Sequence, residues 1–504
     1  MNAEPGSTTE FLERITPIHT RPNKKHMNRR NFIGLTVAAF SRIGRATDRR
    51  SKNSLKPLSK PAPVLPNFIV ILCDNLGYGD FGCFGSKINR TPHIDRLARE
   101  GTRLTSFYSS SPVCTPSRAS LMTGCYAQRV GMHISDKGGW VLQPVSAKGL
   151  NPNEVTIAEI LKARGYATAC LGKWHLGDQP EFLPTRHGFD YYLGIPYSED
   201  MVPEHTPSWP PLPLLRNETV VEAPVDLTRM TKRYVQEAKI FIRKNRDKPF
   251  FLYFAHHLPG SRKVPVVDTR FHGRSVNGRY GDSVEEIDWS VGQIMSKLKR
   301  LVIDDRTLVI LTSDNGTPPG KGGSNAPLGG WAYSTTEGGM RMPCIVRWPR
   351  NVPAGRTCDE LCTMMDLLPT FAGLAGTPVP RDIIIDGKDI WPLWSGRTGA
   401  KSPHKVFYYY MINQLQAVRS GKWKIHLPLK TMRGKVVNRP MKLIDLSKDP
   451  QEAKNLSQQH PDIVRKLTSL AEQARLDLGD LDHMGAGQRP PGRVDRPAPL
   501  VIPR

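Results

Sequence analysis

The chain has too little cysteine for a disulfide-built fold: eight in 504 residues, with no C-x-x-C pair, exclude a disulfide scaffold and the common zinc loops. No apolar run approaches the ~20 residues that cross a bilayer, so no membrane span is expected. There is no internal repeat and no recognisable nucleic-acid-binding motif, so no nucleic-acid partner is expected. Acid is scarce: 46 Asp and Glu against 71 Lys and Arg leave a net charge of +25. Much of that excess lies between Arg21 and Lys60 and in the tail from Arg489 to Arg504. It reads first as a basic leader, a basic tail and a solvated surface; attraction to anionic partners is the second reading. Cys73 lies in an apolar run and reads as a buried thiol, while Cys358 and Cys362, four apart, fit one face of a helix.

The leader holds a targeting candidate, with a chance arginine pair in a basic leader as the other reading. Arg29-Arg30 precede the mostly apolar Ile33 to Phe40, the pattern of a twin-arginine export signal, which implies a periplasmic or extracellular protein. Met27 is a candidate start; Gly34 stands where Lys is common, and no clear small-x-small cleavage site follows. Asn217-Glu218-Thr219 is a glycosylation sequon, silent in an exported bacterial protein.

The expected organisation is a leader and Pro-rich linker over 1–62, a catalytic domain over 63–395, a small-sheet subdomain over 396–482 and a disordered basic tail over 483–504. Asn67 to Cys73 is a continuous apolar run ending at Asp74, as a strand buried on both faces requires. Ala167 to Leu171, Phe250 to Ala255, Leu308 to Thr312 and Cys344 to Trp348 read as further strands. Between them fall helices from Thr91, over Ile157 to Arg164, and over Ser283 to Arg300, where Ile287, Val291, Ile294 and Leu298 keep a 3–4 spacing. That alternation predicts an α/β fold with a mostly parallel sheet. Val406 to Tyr410, Leu415 to Arg419 and Trp423 to Leu427 predict a small antiparallel sheet, and Pro461 to Leu478 a closing helix.

Two strands end in the same step, Asp74-Asn75 and Asp314-Asn315. Sites in open α/β sheets form at such carboxyl ends, and oxygen-only ligands select a hard cation, calcium or magnesium. Either step alone is ordinary turn chemistry; the repetition favours a metal. The third element is Cys114-Thr115-Pro116-Ser117-Arg118 through Met122-Thr123-Gly124. It places a sulfur at a helix N-terminus beside an Arg, which predicts a reactive, low-pKa thiol, with a buried structural cysteine as the other reading.

C-x-P-S-R with its Met-Thr-Gly ending resembles the sulfatase motif, whose Cys is oxidised to Cα-formylglycine. Asn67 to Gly82, Gly172-Lys173-Trp174-His175-Leu176-Gly177, Thr312 to Gly316 and Glu337-Gly338-Gly339 resemble other blocks of that family, and Leu193 to Ser198 its arylsulfatase A branch. The resemblance covers roughly residues 64 to 460. It implies an alkaline-phosphatase-like fold, a large mixed sheet flanked by helices plus a smaller C-terminal antiparallel sheet. It also implies hydrolysis of aryl or carbohydrate sulfate monoesters, and maturation by a formylglycine-generating enzyme. The implied calcium ligands are Asp74, Asn75, Asp314, Asn315 and an oxygen of the modified Cys114; Asn75 replaces a usual Asp and removes one negative charge. Arg118 would neutralise the nucleophile, Lys173 would hold a sulfate oxygen, and His175 and Ser198 would bond the hydrated aldehyde, with His175 taking a proton. As alternatives, His175 is a core residue and Ser198 a turn cap.

Two departures stand out. Gly260 takes the place of a His that helps protonate the leaving group, and Ala332 that of a Lys that binds sulfate. Either His256 or His257 is then the expected substitute acid, or the substrate has a good leaving group that needs none. A phosphate or phosphonate ester hydrolase, and a sulfated-glycan-binding relative with weakened turnover, are the competing functions. The loop from Asp200 to Pro213 is expected at the entrance.

Overall fold

The computed structural model describes residues 65–432, 435–481 and 483–502. The leader over 1–62, with Arg29-Arg30, lies outside the described residues. In chain order the large sheet is built from β1 (Asn67–Asp74), β2 (Thr102–Tyr108), β3 (Ala167–Gly172), β4 (Tyr191–Gly194), β5 (Phe250–Pro259), β6 (Thr307–Ser313) and β7 (Arg341–Arg347). Across the sheet they run β2-β7-β6-β1-β5-β3-β4, with Arg356–Cys358 beyond β2 and Leu214–Arg216 and Thr219–Glu222 beyond β4. From β6 to β4 every pairing is parallel. β7 is antiparallel to both its neighbours, so the sheet is mixed.

The continuous apolar run of β1 follows from helices on both faces. Phe68, Val70 and Leu72 pack under α2 (Cys114–Thr123) and α3 (Ile157–Lys162). Ile69, Ile71 and Cys73 face α1 (Pro92–Arg99), α4 (Met230–Lys244) and α5 (Gly278–Arg300). From α5 the residues Val284, Ile287, Val291, Ile294 and Leu298 are fully buried, each stabilising by roughly 1.5–3 kcal/mol. Helix α3 starts at a capping box: the Glu159 carboxylate accepts from Thr156 N at 2.8 Å while Thr156 Oγ1 accepts from Glu159 N at 3.3 Å.

The small sheet is antiparallel, in the order β8 (Phe407–Met411), β9 (Gln414–Ser420), β10 (Trp423–His426), β11 (Lys442–Asp445). The helix α6 (Pro461–Leu478) lays Leu467, Ala471, Ala474 and Leu478 against Phe407, Tyr409, Val418 and Ile425. A buried ion network ties this sheet to Glu337, just before β7: Lys424 Nζ lies 3.0 Å from Glu337 Oε1 and 2.8 Å from Glu452 Oε1. A buried ammonium persists only when paired in this way. No helix among the described residues is long and apolar enough to cross a membrane.

Two expectations are corrected. Cys358 and Cys362 sit on no helix; Arg356–Cys358 and Cys362–Thr363 are short strands parallel to β2, separated by a bend at Glu360. The tail over 483–502 is ordered. Gly492–Arg493 pairs with Lys148–Gly149, Arg489 N donates to Arg129 O at 2.6 Å, and the Arg489 guanidinium grips both Glu154 oxygens at 2.7 Å. A Pro- and Arg-rich composition shows only that the tail cannot build its own core; it docks on Arg129, Lys148–Gly149 and Glu154 instead. Truncation after Gln488 strips Glu154 of its cation and should cost about 2–3 kcal/mol, read as a lower urea midpoint. An unchanged midpoint would show that docking contributes nothing.

Candidate active site

The carboxyl ends of β1, β3, β5 and β6 meet at one edge of the sheet, where Asp74 ends its strand and Lys173, Gly260 and Asp314 follow theirs. Gly172 lets β3 turn there: its φ is +113°, and a Cβ would lie 1.7 Å from Ala255 O. Asn75 and His175 also have positive φ, +59° and +63°. Such backbone, uncommon outside glycine, aims side chains that a regular strand end would point elsewhere.

Helix α2 begins at Cys114 and brings its sulfur into this edge. Cys114 Sγ is 3.3 Å from Asp74 Oδ1 and 3.5 Å from Lys173 Nζ. Lys173 Nζ donates to both Asp74 oxygens at 2.9 Å and to Ser198 Oγ at 3.0 Å. Arg118, one turn into α2, donates to Asp314 Oδ2 at 2.8 Å, Asp74 Oδ1 at 3.1 Å and the Lys173 carbonyl at 2.7 Å. Asn75 N donates to Asp314 Oδ1 at 3.1 Å, and Asn315 Nδ2 donates to Asn75 Oδ1. Asp74, Cys114 and Asp314 offer ligand atoms within 4.8 Å of one another, and all nine expected site residues are buried.

Two acids and two bases share this dry space, and their charges set one another. Burial works against ionising Asp74, but Lys173 and Arg118 outweigh it and hold the carboxyl well below its usual range. Burial and the Asp74 charge together push Asp314 up. The thiol is not the expected one. Burial, then the Asp314 and Asp74 carboxylates, raise Cys114 well above its ordinary value, and Lys173 and Arg118 do not compensate. The helix N-terminus does not lower this thiol, because burial and two carboxylates outweigh Lys173 and Arg118. Burial and Lys173 hold His175 neutral. Its Nε2 meets the Leu142 carbonyl at 3.0 Å, so that nitrogen carries the proton and the buried, unpartnered Nδ1 is free to accept one.

His256 is not at this edge. Its Nε2 meets Ser290 Oγ at 2.9 Å on α5, across the sheet's buried face. His257 is buried with neither ring nitrogen partnered, stacks edge-on to Tyr234, and is held neutral by burial, at about 4. Gly260, with φ +86°, has no room for any side chain: a Cβ would lie 2.3 Å from Glu199 Oε1. Ala332 is buried in its loop and offers no cation, but Lys321 of the same loop donates from Nζ to the Ser261 carbonyl beside Gly260. Burial lowers Lys321, with the Glu199, Asp200 and Asp74 carboxylates opposing. Glu199 and Lys321 were not foreseen. For Glu199 the available signal was its place next to Ser198.

Oxygen donors gathered with paired Lys and Arg at the strand ends of an α/β sheet define an enzyme that handles an anionic ester. Residues 66–377 match the family model described as Sulfatase, and 333–476 that described as N-sulphoglucosamine sulphohydrolase, C-terminal. The chain is 39% identical over 432 residues to arylsulfatase A of Homo sapiens, covering 78% of this chain and 83% of that one. It is also 39% identical to steryl-sulfatase of Mus musculus, over 72% of this chain and 71% of the other. Among solved structures, Ps i-CgsB in complex with k-i-k-neocarrahexaose superposes with a TM-score of 0.72 at 30% identity, covering 83% of this chain and 95% of that one. The chain belongs to the sulfatase family, with its alkaline-phosphatase-like fold, and is a sulfuric ester hydrolase.

Proposed function

We propose that this enzyme hydrolyses carbohydrate or aryl sulfate monoesters with a formylglycine nucleophile made from Cys114, assisted by calcium. The observation that carries the reading is the meeting of Cys114, Lys173, Arg118, Asp74 and Asp314 within one buried cluster. The raised thiol supports conversion, because an unmodified Cys114 would be a poor nucleophile in this field. Oxidised by a separate generating enzyme and hydrated, residue 114 would supply a hydroxyl to attack sulfur and a second hydroxyl through which sulfate can leave.

The residues fit a hard dication. Asp74 and Asp314 bring carboxylate oxygens together beside Cys114, the Asn75 and Asn315 amides are in contact with each other, and Asn315 Oδ1 is buried without a protein partner. Two carboxylates against Arg118 and Lys173 leave the cluster formally neutral, so an added dication makes it attractive to an anionic ester. Calcium would supply charge stabilisation and orient the nucleophile. Arg118 balances charge at residue 114, Lys173 and Ser198 reach a sulfate oxygen, and His175 Nδ1 takes a proton as sulfate departs. Lys321 supplies a cation on the side that Ala332 leaves bare. The glycan held by Ps i-CgsB supports a sulfated carbohydrate as natural substrate. Arg29-Arg30 support export by the twin-arginine route.

The test is sulfate release from an aryl sulfate by protein whose aldehyde at 114 is confirmed by mass, with and without calcium. Release in calcium should fall at least about 100-fold after chelation, and calcium at 100 times its Kd should add about 2.7 kcal/mol of stability. Chelation that leaves both rate and stability untouched would remove calcium from the reading; no release at all would remove the sulfatase reading.

A further inference from the structure

We infer that Glu199, acting through the Ser198 hydroxyl, supplies the proton that the leaving alcohol takes, on the side of the site where Gly260 carries no side chain. The inference rests on the sulfatase reading and goes beyond it. The Glu199 carboxyl fills the space that a side chain at 260 would enter, with Oε1 2.3 Å and Cδ 2.8 Å from the position of a Cβ there. It is fastened for that position. Oε1 accepts from Ser261 N and, at 3.2 Å, from Arg262 N, while the Arg262 guanidinium returns to the Glu199 carbonyl at 2.9 and 3.1 Å. Oε2 lies 3.0 Å from Ser198 Oγ, and Ser198 Oγ lies 3.0 Å from Lys173 Nζ, which reaches Cys114. The chain of contacts from Glu199 to the reacting centre is thus Glu199, Ser198, Lys173 and residue 114, all buried.

The protonation of Glu199 decides what Ser198 can do. A hydroxyl has one hydrogen and two acceptor positions. Beside a carboxylate, Ser198 gives its one hydrogen to Glu199 Oε2 and has none for a substrate. Beside a carboxylic acid, Ser198 accepts from Glu199 and from Lys173, and its own hydrogen is released from the carboxyl, to be shared between Ser261 Oγ, a long 3.3 Å away, and a substrate oxygen in the site. The surroundings favour the acid form: burial, then the neighbouring Asp200, push Glu199 up to about 7, with Lys173 opposing and Asp74 adding to the rise. Lys321 and the Arg262 guanidinium are the other charges on this side.

The step balances. As the bond between sulfur and the bridging oxygen breaks, Ser198 Oγ gives its proton to that oxygen and takes the proton of Glu199 Oε2. The alcohol leaves neutral, Ser198 is unchanged, and Glu199 is left as carboxylate. Hydrolysis consumes one water, whose second proton is released with sulfate, and solvent returns a proton to Glu199. Ser198 is the catalytic residue; Glu199 is a positioning residue that keeps it loaded.

The test is Glu199→Gln, which keeps an oxygen for Ser261 N and Arg262 N but has no proton to pass on. Protein with the aldehyde confirmed at 114 is assayed on 4-nitrophenyl sulfate, whose phenolate leaves without help, and on an alkyl or sugar sulfate, whose alkoxide does not. General-acid assistance is worth about 10²–10⁴-fold, so the variant should lose at least about 100-fold on the alkyl ester and at least tenfold less on the aryl ester. The alkyl rate of the wild type should fall as pH rises through about 7, and that limb should vanish in the variant. A readout independent of turnover is the infrared band of protonated carboxyls in calcium-free, unconverted protein at pH 6, which wild type should show in excess of Glu199→Gln, the buried acids Asp80, Glu286, Asp288 and Asp314 contributing alike to both. Equal losses on the two esters, an unaffected alkyl rate, or no difference band between wild type and Glu199→Gln would overturn the inference. A wild type inactive on the aryl ester would instead bring down the sulfatase reading, and this inference with it.

Discussion

Cys114→Ala abolishes sulfate release, with kcat/KM on an aryl sulfate expected to fall about 10⁴-fold or more, as when an essential nucleophile is deleted. The size follows from the absence of a substitute at the site. Ser117 Oγ donates to the Asp314 carbonyl at 2.5 Å, Thr115 Oγ1 to the His175 carbonyl at 3.1 Å, and Ser198 Oγ is held by Lys173 and Glu199. The fold should persist, because the sulfur makes only long contacts, 3.3 Å to Asp74 and 3.5 Å to Lys173, and Lys173 keeps its Asp74 and Ser198 partners. Alanine should then cost about 1 kcal/mol, checked by thermal melting beside the assay. Cys114→Ser, confirmed unconverted by mass, separates two explanations of the loss. A plain hydroxyl can accept sulfate once but gives it no internal exit, so at most one equivalent of alcohol is released and turnover stops. Steady turnover by unconverted Cys114→Ser would defeat the formylglycine reading while leaving the site's position unquestioned.

The parts legible in the sequence are those governed by local pattern. β1 and β6 showed as continuous apolar runs because both sheet faces are covered, and α6 showed from Pro461 at its first turn to Gly479 beyond its end. β5 runs past the expected Ala255 to Pro259, since His256 and His257 are buried strand residues whose polarity imitates a strand end. β2 is hard to read because Arg103 and Thr105 interrupt its apolar positions at the half-exposed sheet margin. α4 carries Tyr234, Val235, Ala238, Phe241 and Ile242 on one face, diluted by seven charged or polar neighbours that are exposed or half-buried.

The site divides along the same line. Asp74, Asn75, Cys114, Arg118, Lys173, His175, Asp314 and Asn315 each stand at the end of a strand or the start of a helix, where a motif fixes their direction. Glu199, Ser261 and Lys321 lie in loops, and their meaning comes only from closeness: Glu199 and Ser261 are 62 residues apart in sequence, Lys321 and Ser261 60 apart. A missing side chain at Gly260 could be read from the sequence, but not the carboxyl that fills its space. The thiol's raised state was equally out of reach, because it depends on two acids from strands 40 and 200 residues away in the chain from Cys114.

Arg118→Met should destabilise the calcium-free enzyme by about 3–5 kcal/mol, the cost of stranding a buried charge. The guanidinium is fully buried and joins Asp314 to Asp74, and it also closes the Lys173 carbonyl at 2.7 Å. Methionine fills much of the same volume without its charge, so the loss reports electrostatics rather than a cavity. Asp74 retains Lys173 as a direct partner; Asp314 keeps the Asn75 N–H and the weaker pull of Lys173 against the repulsion of Asp74. A dication bound by these acids would relieve that repulsion, and by more in the variant than in wild type. Calcium should therefore raise the melting temperature of Arg118→Met further than that of wild type, while sulfate release stays at least about 100-fold down because the cation beside residue 114 is gone. A deficit of the same size with and without calcium would mean that Asp74 and Asp314 are not calcium ligands, and that Arg118 and Lys173 alone hold the two acids together.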